Sequence, residues 1–352
     1  MKQTSYIPSL DGIRAISILL VFVSHAGFGH IVPGGFGVTV FFFLSGYLIT
    51  TLLCREWNRH DAIAFKAFYL RRVLRLSPPI FVTLSVSILL ASIGVIEGRI
   101  DIGTILSQVF FYFNYYALYG DGVSAISGLG ILWSLAVEEH FYFIWPAIFL
   151  LIASGRMGIR SVIALLVLIL LWRSFRFFGM GSTFYEIYIS TDTRFDSILF
   201  GCLLALMHDR PASVWAFPPL KTGICIILAA LVALAFTLGF RDETFRSTLR
   251  YSVQGVALMP LFHYAVKRPD ALMFRPLNWG WMRKLGLWSY TIYLIHFVII
   301  DGLVFNGVTM PGSPLLLIIA GVLSVGFSAA VYRFVEAPLH PLRRRLTGHA
   351  KE

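Results

Sequence analysis

An arginine and a histidine eleven positions apart, Arg14 and His25, stand inside the first long apolar run of the chain, LDGIRAISILLVFVSHAGFGH at 10–30. On an α-helix eleven residues make close to three whole turns. Both side chains then project from one face, about 16 Å apart along the axis. A guanidinium grips anions and an imidazole moves protons near neutral pH, so the pair reads as one wall of a buried catalytic passage. Each alone has a plainer reading: an arginine snorkelling to the interface, and a histidine satisfied by a neighbouring helix. An ionisable group inside a membrane span costs about 2.5–3.5 kcal/mol on insertion scales. The company these two residues keep therefore decides between the readings.

That company is spread along the chain. FYLRRVLRLSPP sets Arg72 and Arg75 three apart on one helical face, just before Pro78. Two guanidinium forks on one face suit phosphate oxygens, although basic loops are also ordinary in membrane proteins. ILWSLAVEEHFYFIWP at 131–146 holds Glu138 and Glu139 in an apolar, aromatic run. Adjacent helical residues point about 100° apart, so at most one of them shares a cavity with His25, where a carboxylate can fix the tautomer. The other is an interfacial acid. LGLWSYTIYLIHF at 285–297 places Ser289, Tyr293 and His296 at i, i+4 and i+7. Such a polar stripe on an apolar helix faces a bundle interior, as a site or as satisfied core. TRFDSILFG puts Arg194 and Asp196 at the external start of a span, where they can snorkel. FVEAPLH puts Glu336 three after Arg333, which suggests a local ion pair.

The elements that must position these residues are membrane helices. Of 352 residues 57% are hydrophobic and 13% charged, and the mean hydropathy is +0.77. This excludes a disordered or nucleic-acid-binding protein and indicates a polytopic bundle. Apolar segments fall near 10–30, 36–53, 79–97, 104–119, 131–153, 161–178, 194–208, 221–239, 248–266, 285–304 and 314–334. The net charge of +11 gathers in the connection 54–78, at Arg156 and Arg160, at Arg210 and Lys221, between Lys267 and Lys284, and in Arg343–Arg345. These groups share one side of the membrane only if one early segment fails to cross. Segment 104–119 is short and holds Gln108, Asn114 and several tyrosines, so it is read as re-entrant or interfacial and as part of the site's wall. The expected fold is all-α: about ten transmembrane helices plus that segment, residues 1–345 forming one domain and 346–352 a cytoplasmic tail, with both termini cytoplasmic. No cleavable signal is evident, since the first span holds Arg14 and His25 and lacks a strongly basic start. Cys54, Cys202 and Cys225 form no metal or disulfide pattern, and the nine histidines lack the close pairs of a metal site, so no metal is expected.

Taken together these stretches resemble the membrane-bound acyltransferase 3 family, bacterial O-acyltransferases that modify cell-envelope sugars. LDGIRAISILLVFVSHAG carries the family's Arg-x10-His arrangement. GVTVFFFLSGYLI at 37–49, Arg72-x-x-Arg75, WSLAVEEHFYFIWP, FDSILFG, SYTIYLIHF and FVEAP follow in the family's order, from about residue 6 to 340. The resemblance implies about ten core spans in the bacterial inner membrane, surrounded by lipid. It implies transfer of an acyl group, usually acetyl, from cytoplasmic acyl-CoA to a carbohydrate or lipid-linked glycan. Acetyl-CoA is then a cosubstrate rather than a tightly bound cofactor. The family's essential pair falls on Arg14 and His25, and its basic pair on Arg72 and Arg75. Three departures stand out: Thr39 where relatives often carry an acid, His140 where Gln is common, and an end soon after the last span, without the extracytoplasmic hydrolase-like domain that some relatives append.

Transfer from a thioester to an alcohol needs an anchored donor, a base for the hydroxyl and donors for the oxyanion. Arg72 and Arg75 are expected to hold the coenzyme's phosphates, with the pantetheine arm passing Arg14 towards His25. His25 is the expected base, oriented by Glu138 or Glu139. Ser45, Asn114, Tyr293 and His296 are the expected lining of the substrate pocket. A two-step variant parks the acyl group on His25 or on Ser45. The competing class is a proton-coupled transporter or flippase, which would use the same buried charges but does not require the Arg72–Arg75 pair. A partner without catalysis of its own is the third reading, and the intact Arg-His pair speaks against it.

Overall fold

The structure, a computed structural model, describes residues 7–120, 126–210 and 217–346, and all regular structure among them is helical. In chain order the helices are α1 (Pro8–Val23), α2 (Gly34–His60), α3 (Phe65–Ser92), α4 (Ile102–Val109), α5 (Phe113–Tyr119), α6 (Trp133–Ala153), α7 (Ile159–Phe178), α8 (Phe184–Ile189), α9 (Thr191–Asp209), α10 (Leu220–Gly239), α11 (Glu243–Ser247), α12 (Arg250–Lys267), α13 (Gly280–Phe305), α14 (Pro314–Val331) and α15 (Ala337–Leu346). Eight helical stretches, carried by α1, α2, α3, α6, α7, α10, α13 and α14, are long and apolar enough to cross a bilayer. Helices α9 and α12 hold more charge, but their 19 and 18 residues give each roughly 27 Å of length, close to the hydrocarbon thickness. The ten spans of the sequence reading require both of these to cross in addition to the eight.

The exterior is that of a lipid-solvated protein. Val167, Leu168 and Leu171 on α7 and Val232 on α10 are half exposed or more, while Arg173, Arg194 and Asp196 are fully buried. Water would invert that arrangement. The tail expected at 346–352 lies, apart from Leu346, outside the described residues.

The described residues group into two compact units, each assembled from separated stretches of sequence. The first collects residues up to 17, 35–63 and 134–284. Helix α9 is its core, buried along nearly its whole length from Thr191 to Leu206, with α7 and α12 packed on it and α10 packed on α12. Small residues set the close approaches. A methyl group on Gly46 of α2 would overlap the Ile198 carbonyl, one on Gly201 the Phe43 carbonyl, and one on Gly255 the Phe200 ring. This is how helices associate where lipid removes the hydrophobic drive.

The second unit collects residues 18–34, 64–133 and 285 onwards. Here α1 continues as a π turn, Ser24–Phe28, closed by Gly27 at φ 103°. That conformation favours glycine, and any side chain there would overlap the backbone of Gly312. The Gly312 N–H in turn donates to the Ala26 carbonyl at 2.8 Å. Segment 104–119 does not cross: it is two short helices, α4 and α5, broken at Phe111, whose φ is 58°. The cap of α4 is Asp101, whose carboxylate accepts from Thr104 N at 2.6 Å and Tyr116 Oη at 3.3 Å. Hydrogen bonding, from Thr104 first, holds that carboxyl below its usual range.

Two local expectations fail. The 54–78 connection shrinks to 61–64, because α3 starts at Phe65 and runs on through Pro78 and Pro79. The prolines remove N–H donors within the helix, and Tyr290 Oη of α13 donates to the neighbouring Leu76 carbonyl at 3.1 Å. The Arg333–Glu336 ion pair is also absent among the described residues: Glu336 accepts instead from Thr291 Oγ1 at 3.0 Å.

Candidate functional site

The π turn presents His25 to α13 within the second unit. His25 Nδ1 lies 2.8 Å from Nε2 of His296, a residue with no exposed surface. On its other side, His296 Nδ1 lies 2.8 Å from the Tyr293 carbonyl and 3.1 Å from that of Ile292. Carbonyl oxygens only accept, so Nδ1 of His296 carries a proton. In the neutral pair its Nε2 is therefore an acceptor, and His25 must donate from Nδ1. The remaining nitrogen of His25, Nε2, is left with a lone pair. The chain of bonds thus specifies which nitrogen of His25 is basic.

Aromatic packing fixes the ring planes. Phe297 stacks on His25 with centroids 4.4 Å apart and planes 21° from parallel, and Phe22 lies 6.1 Å from His296. Tyr293 Oη donates to the Ile131 carbonyl at 3.0 Å, which ties α13 to the turn before α6. The stripe read from the sequence faces the interior as expected, with Ser289, Tyr293 and His296 all buried.

Other candidates fall in the first unit. Ser45 Oγ of α2 donates to Glu138 Oε1 of α6 at 3.0 Å, a hydroxyl and a carboxylate in the relation of nucleophile and base. Trp145 Nε1 donates to Thr50 Oγ1 at 2.9 Å and locks the same two helices together. Glu139 is half-buried beside Glu138. His140 Nδ1 lies 2.8 Å from Thr191 Oγ1. Arg14 is half-buried on the stretch of α1 that belongs to this unit. The three-turn arithmetic that aligned it with His25 assumes an unbroken α-helix, from which the π turn departs. The partner expected to orient His25 was a glutamate; the Nδ1 contact observed comes from His296.

Arg72 and Arg75 lie on one face of α3, the first half-buried and the second exposed. Asn114 is fully buried on α5. Among the described residues no group of three or more His, Cys, Asp or Glu side chains is placed to hold a metal ion.

Arg194 and Asp196 do not snorkel. Asp196 is bridged to Arg173 of α7 at 2.7 Å, both side chains fully buried. The guanidinium carbon of Arg194 sits 3.8 Å from the centroid of Tyr251, and Nη2 donates to Thr39 Oγ1 at 3.1 Å. Arg173 was missed in the sequence, yet LLWRSFRFF places it in an apolar run by the same criterion that marked Arg14. A second histidine pair was also missed: His208 Nε2 lies 2.8 Å from His263 Nδ1, and His208 Nδ1 lies 3.1 Å from Tyr47 Oη. These residues sit on three helices far apart in sequence, and no local signal joins them.

Comparison with known proteins completes the picture. The model of the acyltransferase 3 family, an acyltransferase domain, matches residues 7–333. The chain is similar to the peptidoglycan O-acetyltransferase OatA of Listeria monocytogenes, 31% identical over 330 residues, covering 85% of this chain and 51% of that protein. It is 30% identical over 353 residues to YrhL of Bacillus subtilis, provisionally named a peptidoglycan O-acetyltransferase, covering 95% and 55%. It is 29% identical over 359 residues to a provisionally named O-acetyltransferase of Staphylococcus aureus, covering 96% and 58%. The chain spans about half the length of the curated relatives it matches. No solved structure matches it significantly.

Proposed function

The chain belongs to the acyltransferase 3 family, and from that premise we propose that it transfers an acetyl group from cytoplasmic acetyl-CoA to a hydroxyl of an envelope carbohydrate. It does so as a multi-pass protein of the bacterial inner membrane with both termini cytoplasmic. Peptidoglycan is the acceptor to test first, because two of the relatives are named for it. The observation that carries the reading is the hydrogen bond from His25 to His296.

In the proposed reaction Arg72 and Arg75 hold the coenzyme's phosphates and Arg14 guides the donor arm. His25 Nε2 takes the proton of the acceptor hydroxyl as its oxygen attacks the thioester carbonyl. The tetrahedral intermediate collapses, the carbon–sulfur bond breaks, and the imidazolium returns its proton to the departing thiolate. General-base assistance of this kind is worth about 10²–10⁴-fold.

A second reading rests on the contact between Ser45 and Glu138. Here Glu138 takes the proton of Ser45 as Oγ attacks the thioester, and coenzyme A leaves as the thiol. The acetyl ester on Ser45 is then transferred to the acceptor, with Glu138 serving as base a second time. Mass spectrometry of envelope glycan from cells with the gene, without it, and with His25→Ala tests the shared claim. One acetyl unit should appear only with the intact gene. Unchanged acetylation with His25→Ala would remove the first reading.

A further inference from the structure

Within the second unit, where α13 begins and α14 ends, a cavity of about 510 Å³ is lined by Trp288, Ala329, Tyr332, Arg333, Phe334 and Ala337. Two polar groups in this wall lack a protein partner among the described residues. The indole N–H of Trp288 is buried and donates to nothing. Arg333 makes no hydrogen bond or ion pair, its nearest engagement being the face of Phe334 at 5.9 Å. The acid three residues on, Glu336, is bonded by Thr291. The other lining is aromatic or small, and Phe334 is 73% exposed.

The backbone here is also unusual. Tyr332–Glu336 is a π turn joining α14 to α15, a distortion that recurs where helices carry a ligand. Trp288 lies eight residues into α13, roughly 12 Å along the axis, just beyond Arg283 and Lys284. Tryptophan, tyrosine and basic residues at such a level mark the boundary between headgroups and acyl chains.

We propose that this cavity is a binding site for one anionic phospholipid, its phosphate on Arg333 and its chain along Phe334 and the two alanines. The free guanidinium supplies charge complementarity for a phosphate. A choline headgroup would set a second cation against it. A soluble phosphate would leave the apolar half of the cavity unused. The site serves the membrane environment of the protein and stands apart from the acyl-transfer reading.

Native mass spectrometry of the purified full chain, offered phosphatidylglycerol or phosphatidylcholine, reads the site directly. One phosphatidylglycerol should be retained in preference to phosphatidylcholine. Arg333→Gln should weaken that retention about fivefold, the effect of one interfacial basic residue, and Trp288→Phe should weaken it less. A photoactivatable phosphatidylglycerol on the unaltered chain should cross-link to peptides holding Trp288 or Phe334, which does not depend on any variant folding. Equal retention of the two lipids, a folded Arg333→Gln protein with unchanged retention, or cross-links elsewhere would overturn the proposal. So would loss of the cross-link to free coenzyme A but not to competing phosphatidylglycerol, which would make the occupant the cosubstrate.

Discussion

Nδ1 of His25 and Nε2 of His296 are 2.8 Å apart, although 271 residues separate them in the chain. The bond ends in the backbone of α13, because the far nitrogen of His296 faces two carbonyls of its own helix. A base oriented by a third group is the general logic of activated hydroxyls. If His25 is the base of the proposed reaction, its orienting group is a neutral imidazole with a defined tautomer rather than a carboxylate. It fixes which nitrogen of His25 is available without adding a charge to the apolar surroundings.

The first prediction separates orientation from packing at His296. Gln offers a carbonyl that can still accept from His25 Nδ1; Phe fills similar volume and accepts nothing. His296→Phe should lower kcat by roughly 10–100-fold, by analogy with the partners that orient metal-bound histidines, with KM for acetyl-CoA little changed. His296→Gln should retain most of the rate. Nitrogen chemical shifts of labelled histidines should report His25 protonated at Nδ1 in the unaltered protein and a mixture of tautomers in His296→Phe. Equal losses in both variants would assign His296 to packing alone.

A second prediction distinguishes direct transfer from the relay. If Ser45 carries the acetyl group, brief exposure to radiolabelled acetyl-CoA without acceptor should leave label on the protein, lost in Ser45→Ala and in Glu138→Gln. Direct transfer predicts no stable label and a modest effect of Ser45→Ala, since only the hydrogen bond at 3.0 Å is removed.

The all-helical, multi-pass fold, the failure of segment 104–119 to form one spanning helix, and the inward stripe of Ser289, Tyr293 and His296 were all legible in the sequence. Each is a matter of local apolarity and helical period. What was not legible is partnership. Nothing near His25 names His296, and nothing near Ser45 names Glu138; those pairings arise from helix packing across long sequence separations. Arg194 and Asp196 looked like snorkelling ends because Arg173, which bridges Asp196, lies on another helix. The helix running through Pro78 was equally hidden, since proline disfavours it locally and neighbouring helices sustain it.

The π turn that presents His25 depends on Gly27, and this gives a third prediction. At φ 103° a side chain is strained at a cost of about 1–3 kcal/mol, and here it would also overlap Gly312. Gly27→Ala should lower the unfolding temperature of the detergent-solubilised protein and depress activity together. Gly326→Ala, on α14 with open space around it, should change neither. Loss of activity without loss of stability in Gly27→Ala would point to His25 being moved while the fold survives, and normal behaviour on both counts would contradict the observed turn.

The last prediction concerns the buried ion pair that anchors α9, the core of the first unit. Arg173 Nη1 donates to Asp196 at 2.7 Å and to the Thr193 carbonyl at 2.8 Å, Nε donates to the Thr248 carbonyl at 2.7 Å, and Nη2 donates to Ser252 Oγ at 2.7 Å. Removing the carboxylate's charge leaves a buried guanidinium uncompensated, which costs about 3–5 kcal/mol where it has been measured. Replacing both partners by apolar residues removes two desolvation penalties along with the attraction, so the double change should cost less than the single one. The cysteines provide the readout, because Cys54 and Cys202 are buried in this unit and Cys225 is exposed. On warming in the presence of a thiol reagent, Asp196→Asn should label Cys54 and Cys202 at a lower temperature than the unaltered chain. Arg173→Met with Asp196→Leu should fall between the two, and Cys225, on the lipid-facing exterior of α10, should behave alike in all three. A double variant less stable than Asp196→Asn would mean that the hydrogen bonds of Arg173 to Thr193, Thr248 and Ser252, rather than its charge pairing, hold α7 and α12 against α9.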